Sequence, residues 1–198
     1  MKILVTGFDP FGGESVNPAW EAVSRLPETI NGAEVVRMLI PTSFERAPQA
    51  ILEKVREYHP DYVISVGQAA GRTAITPERI AINMMSASIP DNDGEQPSEQ
   101  KIEDNGPDGY FSLLPVAEMV KAIEAAGLPG RISNTAGTFV CNRVMYSVLH
   151  ACHTEFPEMR SGFIHVPCIP EQTEKHPEWF SLPVEEITRG LEAALSVL

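Results

Sequence analysis

The chain has 198 residues, of which 43% are hydrophobic and 21% are charged. Chains usually divide into several domains only beyond roughly 250 residues, so we expect residues 1–198 to form a single folded domain. Fifteen Lys and Arg residues stand against 27 Asp and Glu residues, which gives a formal net charge of −12. Because such a surface repels phosphate groups and anionic lipids, the composition argues against a nucleic-acid or membrane partner.

The N-terminus and the cysteines favour a cytoplasmic protein. The apolar run at residues 3–5 is shorter than the roughly 7–15 residues of a signal peptide, and no stretch approaches the roughly 18 apolar residues of a membrane span. The three cysteines are odd in number and lack CxxC spacing, so neither a disulfide framework nor a zinc site is expected. Free thiols suit a reducing compartment.

Strand and helix patterns alternate along the first third of the chain. The predicted elements are a buried strand at residues 3–8, a helix at 19–26, a strand at 35–41, a helix at 44–58 and a doubly buried strand at 61–67. Asn17 and Pro18 supply an N-cap and a first-position proline for the first helix. This alternation predicts a sheet of parallel strands covered by helices.

The pattern changes in the second half. Residues 90–109 are rich in Asp, Glu, Asn, Gly, Pro and Ser, which predicts a long surface loop that serves as a lid or an interface arm. Helix and strand patterns resume at residues 115–126, 131–135, 139–154, 162–167 and 184–195. The whole pattern predicts one α/β domain.

Cys141 is a candidate nucleophile. A β-capable segment with small residues leads at this point into a helical stretch, so Cys141 falls in the first turn of a helix. The amides and dipole of a helix N-terminus favour an anion, which lowers a thiol pKa, and the same amides can receive an oxyanion. The alternative is that Cys141 is a small buried hydrophobic residue, which is how we interpret Cys152 and Cys168.

A nucleophilic cysteine needs a base and a group that orients the base. His165 lies in an apolar strand that ends at a proline, and the carboxyl ends of strands in open α/β sheets face the ligand crevice. Glu78 follows the strongest buried strand and is the candidate orienting acid. Two alternatives stay open: a core histidine bonded to a backbone carbonyl, and a helix start at Thr76-Pro77-Glu78.

Other motifs are weaker. The loop at residues 7–13 lacks the GxGxxG spacing of a dinucleotide site, and the chain contains no P-loop and no GxSxG elbow. His150 and His153 flank Cys152 in a way that resembles a metal cluster, but the surface of a helix explains them better.

Four blocks resemble one known family. They are residues 6–13 with Asn17-Pro18, residues 67–83, residues 135–142 and residues 162–167. In this order they resemble the pyrrolidone carboxyl peptidase (pyroglutamyl-peptidase I) family of cysteine peptidases, from Met1 to about Gln172. The resemblance implies a three-layer α/β/α sandwich around a mixed, largely parallel sheet of the phosphorylase/hydrolase type. It also implies a homodimer or homotetramer in the cytoplasm that uses no cofactor and no metal.

The resemblance further implies roles for single residues. Cys141 becomes the nucleophile, His165 the base and then the acid, and Glu78 the orienting group. The implied substrate pocket is formed by Phe8, Phe11, Asn17, Thr42, Gln68, Ile89, Phe139 and Val140. The implied substrates are peptides with an N-terminal pyroglutamate.

Pyroglutamate is a neutral lactam without a free amine, so its site needs an apolar slot with one or two hydrogen-bonding groups. The aromatic and aliphatic pocket residues suit the slot, and Asn17 or Gln68 suits the polar contacts. Ser88, Asn134 and Met145 depart from the family pattern, which has arginine, tyrosine and often an aromatic residue at these positions. They support one alternative, a catalytically silent binding module. A second alternative is a nucleoside hydrolase or phosphorylase of related fold, which would need a basic cluster.

Overall fold

The computed structural model describes residues 1–174 and 176–198. In chain order the strands are β1 (Lys2–Phe8), β2 (Thr29–Ile30), β3 (Ala33–Ile40), β4 (Tyr62–Gln68), β5 (Thr76–Pro77), β6 (Ile80–Ile82), β7 (Gly109–Phe111) and β8 (Arg160–Val166). The helices are α1 (Pro18–Val23), α2 (Arg46–Tyr58), α3 (Val116–Ala125), α4 (Val140–Thr154), α5 (Pro170–Thr173) and α6 (Val184–Leu195).

A mixed sheet with the strand order β2-β3-β1-β4-β8-β5 forms the centre of the molecule. Strands β3, β1, β4 and β8 run parallel, whereas β2 and β5 pair antiparallel at the two edges. The carboxyl ends of the four parallel strands therefore lie at the same end of the sheet, where α/β proteins bind their ligands. Strands β6 and β7 form a separate antiparallel ribbon.

Alternate side chains of β1 enter two different cores. Ile3 and Val5 pack in one hydrophobic cluster with residues of α1, α3 and α6, whereas Leu4 and Phe8 pack in a second cluster with residues of α2 and α4. This period of two is the one that a strand buried on both faces requires. Helices thus cover both faces of the sheet, and the predicted three-layer α/β/α sandwich is confirmed.

The N-cap predicted for the first helix is confirmed. The Ala19 amide donates to Asn17 Oδ1 at 3.0 Å, and Pro18 is the first helical residue. The helix is shorter than predicted, however, because it ends at Val23 and not at Leu26. The last residues before Pro27 form tighter i→i−3 bonds, of which Leu26 N to Val23 O is one at 3.1 Å.

The short elements differ most from the predictions. The segment Thr76-Pro77-Glu78 does not start a helix, since its first two residues form β5 against β8. The strand predicted at residues 131–135 is reduced to isolated pairings, Gly130 with Ile75 and Ser133 with Glu78. Strands of two or three residues carry too little pattern to be recognised in a sequence.

The predicted long loop at residues 90–109 contains no helix, and only its last residue enters a strand. Asp91 is buried and accepts hydrogen bonds from the amides of Phe44, Asp93 and Glu95 at 2.8–2.9 Å. Asn92 Nδ2 donates to the Pro10 carbonyl at 2.9 Å. These bonds fasten the start of the loop to the segments that follow β1 and β3. Among the described residues, no helix is both long and apolar enough to cross a membrane.

Candidate active site

Cys141 lies in the first turn of α4, as the sequence predicts. The preceding residue outside the helix, Phe139, is extended and provides no side-chain cap for the first amides. Asn142, fully buried, fixes this end of the helix in place: its Oδ1 accepts from Ile82 N at 3.0 Å and its Nδ2 donates to Ile82 O and Met84 O at 2.9 Å. The first turn of α4 is therefore anchored beside β6.

Gly67 brings the thiol against the sheet. A Cβ atom built on Gly67 would lie 2.9 Å from Cys141 Sγ, so only a glycine at this point of β4 lets the thiol approach. Gly67 pairs with His165 of the neighbouring parallel strand β8. Because paired residues of adjacent strands project from the same face, the imidazole of His165 and the thiol of Cys141 lie on the same side of the sheet.

Glu78 reaches His165 from the edge of the sheet. Thr76 pairs antiparallel with His165, and the Glu78 amide donates to Phe163 O at 2.8 Å, which places Glu78 diagonally opposite the histidine. His165 Nδ1 lies 2.7 Å from Glu78 Oε1, and both side chains are buried. Since an ionised carboxylate only accepts hydrogen bonds, Nδ1 carries the proton and Nε2 is left as the basic nitrogen.

Arg72 is a member of the site that the sequence reasoning missed. Its Nη1 lies 2.9 Å from Glu78 Oε1, the same oxygen that meets His165. An arginine in a loop has no spacing or periodicity that reveals its partner, so only the folded chain identifies this contact.

The electrostatics of the site favour neutral groups at rest. Burial lowers the pKa of His165, and the hydrogen bond and charge of Glu78 oppose this shift. Burial raises the pKa of the Cys141 thiol to about 12, with a further rise from Glu78, against the lowering effect of Arg72 and of the cysteine's own amide. The direction of this shift is opposite to the lowering that a helix start favours, because desolvation outweighs the helix amides.

The apolar residues predicted for the pocket gather around this centre. The ring centroids of Phe11 and Phe139 lie 6.0 Å apart, and those of Phe8 and Phe163 lie 6.2 Å apart. The ring of Phe163 in turn lies 4.8 Å from His165. Phe8, Phe139 and the buried Val140 belong to the same core region as Cys141.

The polar residues predicted for the pocket already have protein partners. Asn17 Nδ2 donates to the Asp9 carbonyl at 2.9 Å, and Thr42 Oγ1 donates to the same carbonyl at 3.2 Å. Gln68 Nε2 lies 3.2 Å from Gln172 Oε1. Ile89 differs from the other pocket residues because it is 43% exposed.

No group of three or more His, Cys, Asp or Glu residues that could hold a metal ion occurs within residues 1–174 and 176–198. His150 instead lies with its Nδ1 2.9 Å from Tyr110 Oη, and His153 Nδ1 contacts the Leu149 carbonyl at 2.8 Å.

The sequence matches the pyroglutamyl peptidase family model over residues 1–198. A pyrrolidone-carboxylate peptidase of Streptococcus suis is 50% identical over 198 residues, which cover 100% of this chain and 92% of that protein. One of Levilactobacillus brevis is 52% identical over 198 residues and is covered to 97%. The crystal structure of pyroglutamyl peptidase I from Bacillus amyloliquefaciens superposes with a TM-score of 0.95 at 45% identity, covering 98% of this chain and 93% of that chain.

The chain belongs to the pyroglutamyl peptidase family. It is therefore a peptidase of the cysteine type, and neither the binding module nor the nucleoside enzyme gains support from these comparisons.

The three departures from the family pattern lie in different surroundings. Asn134 Oδ1 accepts a hydrogen bond from Arg79 Nη1 at 2.7 Å, and Met145 is buried in the core. Ser88 is exposed beside Ile89. Within residues 1–174 and 176–198, no side-chain hydrogen bond joins any of the three to Glu78 or His165.

Proposed function

We propose that this family member removes an N-terminal pyroglutamyl residue from peptides with Cys141 as nucleophile, His165 as base and acid, and Glu78 as the orienting group. The observation that carries the proposal is the buried hydrogen bond of 2.7 Å between His165 Nδ1 and Glu78 Oε1, on the sheet face that meets Cys141 Sγ. Acyl transfer by a cysteine peptidase needs a nucleophile, a base and a group that orients the base.

The first half of the reaction is acylation. As Cys141 Sγ attacks the pyroglutamyl carbonyl carbon, its proton passes to Nε2 of the neutral His165. The tetrahedral oxyanion is stabilised by amides in the first turn of α4, which lacks a side-chain cap. His165 then protonates the departing amine, and the C–N bond breaks to leave a thioester on Cys141.

The second half is hydrolysis of the thioester. His165, neutral again, takes a proton from a water molecule that attacks the thioester carbonyl. Collapse of the second tetrahedral intermediate breaks the C–S bond, and His165 returns the proton to the thiol. Pyroglutamate is released, and Cys141 and His165 are again neutral. These resting states agree with the directions of the pKa shifts of the two residues.

The apolar slot supports recognition of a lactam ring. Phe8, Phe11, Phe139 and Val140 offer an apolar surface, and we assign Asn17, Thr42, Gln68 and Ile89 to its surroundings. A site that hydrogen-bonds the lactam N–H and C=O would leave polar groups unpaired with a prolyl substrate, which disfavours proline.

The test compares release of a fluorogenic amine from a pyroglutamyl amide and from the matching prolyl amide under reducing conditions. We expect turnover of the pyroglutamyl substrate alone. Cys141→Ser is expected to lower kcat by about 10³-fold or more, because a hydroxyl replaces the nucleophilic sulfur. Cys152→Ser is the matched control: it makes the same substitution in the same helix, at a buried position far along α4.

Equal turnover of the two substrates would contradict the substrate assignment. Full activity of Cys141→Ser, or equal losses in Cys141→Ser and Cys152→Ser, would contradict the nucleophile.

We also propose that the protein works in the cytoplasm as a homodimer or homotetramer. The free thiols of the buried Cys152 and Cys168 support a reducing compartment. Light scattering on the purified chain measures the assembly size, and a monomer at micromolar concentration would contradict the proposed assembly.

A further inference from the structure

Arg72 is held by several anchors at once. Besides its contact with Glu78 Oε1, Nη1 donates to Thr76 Oγ1 at 2.7 Å, and Nη2 donates to the Thr135 carbonyl at 2.9 Å. The Arg72 amide also closes a turn onto Ala69 O at 3.2 Å. A planar guanidinium with this many partners has a fixed orientation, which a flexible surface arginine lacks.

Glu78 needs a cation. Its side chain is 0% exposed, and Oε2 has no hydrogen-bond partner in the part of the chain that the structure describes. An ionised carboxylate in such surroundings is costly unless it is paired. Since burial lowers the pKa of His165, the resting imidazole is neutral, and the charge on Glu78 is balanced by Arg72.

Among the neighbouring charged side chains, Arg72 is the one that balances the charge of Glu78. Glu78 and Arg72 are the charged side chains that act on both His165 and Cys141. Arg131 lines the same open groove of about 290 Å³ as Arg72, and Arg79 Nη1 donates to Asn134 Oδ1 at 2.7 Å. Arg72 is the cation that acts on the pKa values of Cys141 and His165.

We propose that Arg72 is a positioning residue of this peptidase: it holds the Glu78 carboxylate in place against His165 and opposes its charge, so that the imidazole stays the neutral base that Cys141 needs. This inference rests on the proposed triad and adds a fourth side chain to it.

Loss of the Arg72 charge changes the pH dependence of the reaction in one direction. Arg72 lowers the pKa of His165, whereas Glu78 raises it. Without the cation, the field of Glu78 acts on the imidazole unopposed, and His165 keeps its proton to a higher pH. Because the reaction needs neutral His165, the acidic limb of the kcat/KM profile moves to higher pH.

The experiment records kcat/KM against pH for wild type, Arg72→Met, Arg72→Lys and Arg79→Met, with the thermal midpoint of each variant. For Arg72→Met we expect the acidic limb to rise by about one pH unit and kcat to fall by about tenfold or more. Arg72→Lys retains a cation and is expected to keep the limb within about 0.3 pH unit of wild type, with a smaller loss of kcat. Arg79→Met is the matched control at an exposed arginine, and its limb is expected to stay in place.

A loss of activity in Arg72→Met that is equal at every pH, with an unmoved limb, would show a purely structural role and overturn the proposal. If Arg72→Met does not fold, Arg72→Gln carries the test, because it also removes the charge: a limb that rises by about one pH unit supports the proposal, and an unmoved limb overturns it. Turnover that survives Cys141→Ser would overturn the triad itself. An enzyme that requires Cys141 but shows an unmoved limb in Arg72→Met would refute only the role of Arg72.

Discussion

At the scale of single residues, Gly67 links the fold to the chemistry, because it lies against both Cys141 and Phe163. Its missing side chain gives room to Cys141 Sγ and to the ring of Phe163, whose Cζ atom would lie 2.8 Å from an added Cβ. Sulfur and an aromatic ring in this position cannot both keep their places beside an alanine.

We therefore expect Gly67→Ala to lower kcat/KM by about tenfold or more and to destabilise the fold by about 1–3 kcal/mol. The measurements are steady-state kinetics and urea unfolding. Gly109→Ala is the matched control, since its added Cβ would lie 2.8 Å from the Ala81 carbonyl in the β6–β7 ribbon. It should cost stability and leave kcat near the wild-type value; a Gly67→Ala enzyme with wild-type kcat would refute the close approach.

The protonation state of Cys141 is a second prediction at this scale. Because burial raises the pKa of the thiol to about 12, the resting enzyme holds little thiolate at neutral pH. We expect the rate constant for alkylation of Cys141 by iodoacetamide to keep rising between pH 6 and pH 10, with about a tenfold rise for each pH unit. Mass spectrometry of the modified peptide identifies the reacting cysteine. A plateau reached near pH 7 would instead indicate a preformed thiolate–imidazolium pair.

At the scale of elements, the strands and helices follow the local sequence closely where they are long. The apolar runs of β1, β4 and β8 and the periodic helices α2, α4 and α6 are confirmed within a few residues. Strands β2, β5, β6 and β7 were missed because two or three residues form a strand only when a neighbouring strand pairs with them.

The prediction at the scale of elements concerns the loop at residues 90–109, which Asp91 holds in place. Asp91 accepts three backbone amides, so Asp91→Ala leaves buried donors without partners. We expect a loss of about 2–4 kcal/mol in the free energy of unfolding and faster cleavage by protease between residues 88 and 100.

The matched control is Asp93→Ala, two residues away. Asp93 pairs with Arg46 at the surface, where an ion pair contributes little, so this variant should unfold close to wild type. Equal stability of the Asp91 and Asp93 variants would show that the buried carboxylate does not hold the loop.

At the scale of the whole molecule, both hydrophobic clusters lie against the same central sheet. We propose on this ground that residues 1–198 form a single domain. Unfolding followed by tryptophan fluorescence and by circular dichroism should then give coincident transitions with one midpoint. The measurement is urea unfolding of the wild-type protein. Two unfolding transitions with separate midpoints would contradict a single cooperative unit.

Local sequence accounts for the alternation of strands and helices, for the position of Cys141 in the first turn of a helix, and for the resemblance that family membership confirms. These features depend on local propensity, periodicity and motif order, which a linear chain carries. The folded chain alone shows the 2.7 Å contact between Glu78 and His165, the contact between Arg72 and Glu78, and the desolvation that raises the pKa of the Cys141 thiol. The reason is physical: ion pairing and desolvation depend on atoms that folding brings together from distant parts of the chain, and no local pattern encodes the distance between them.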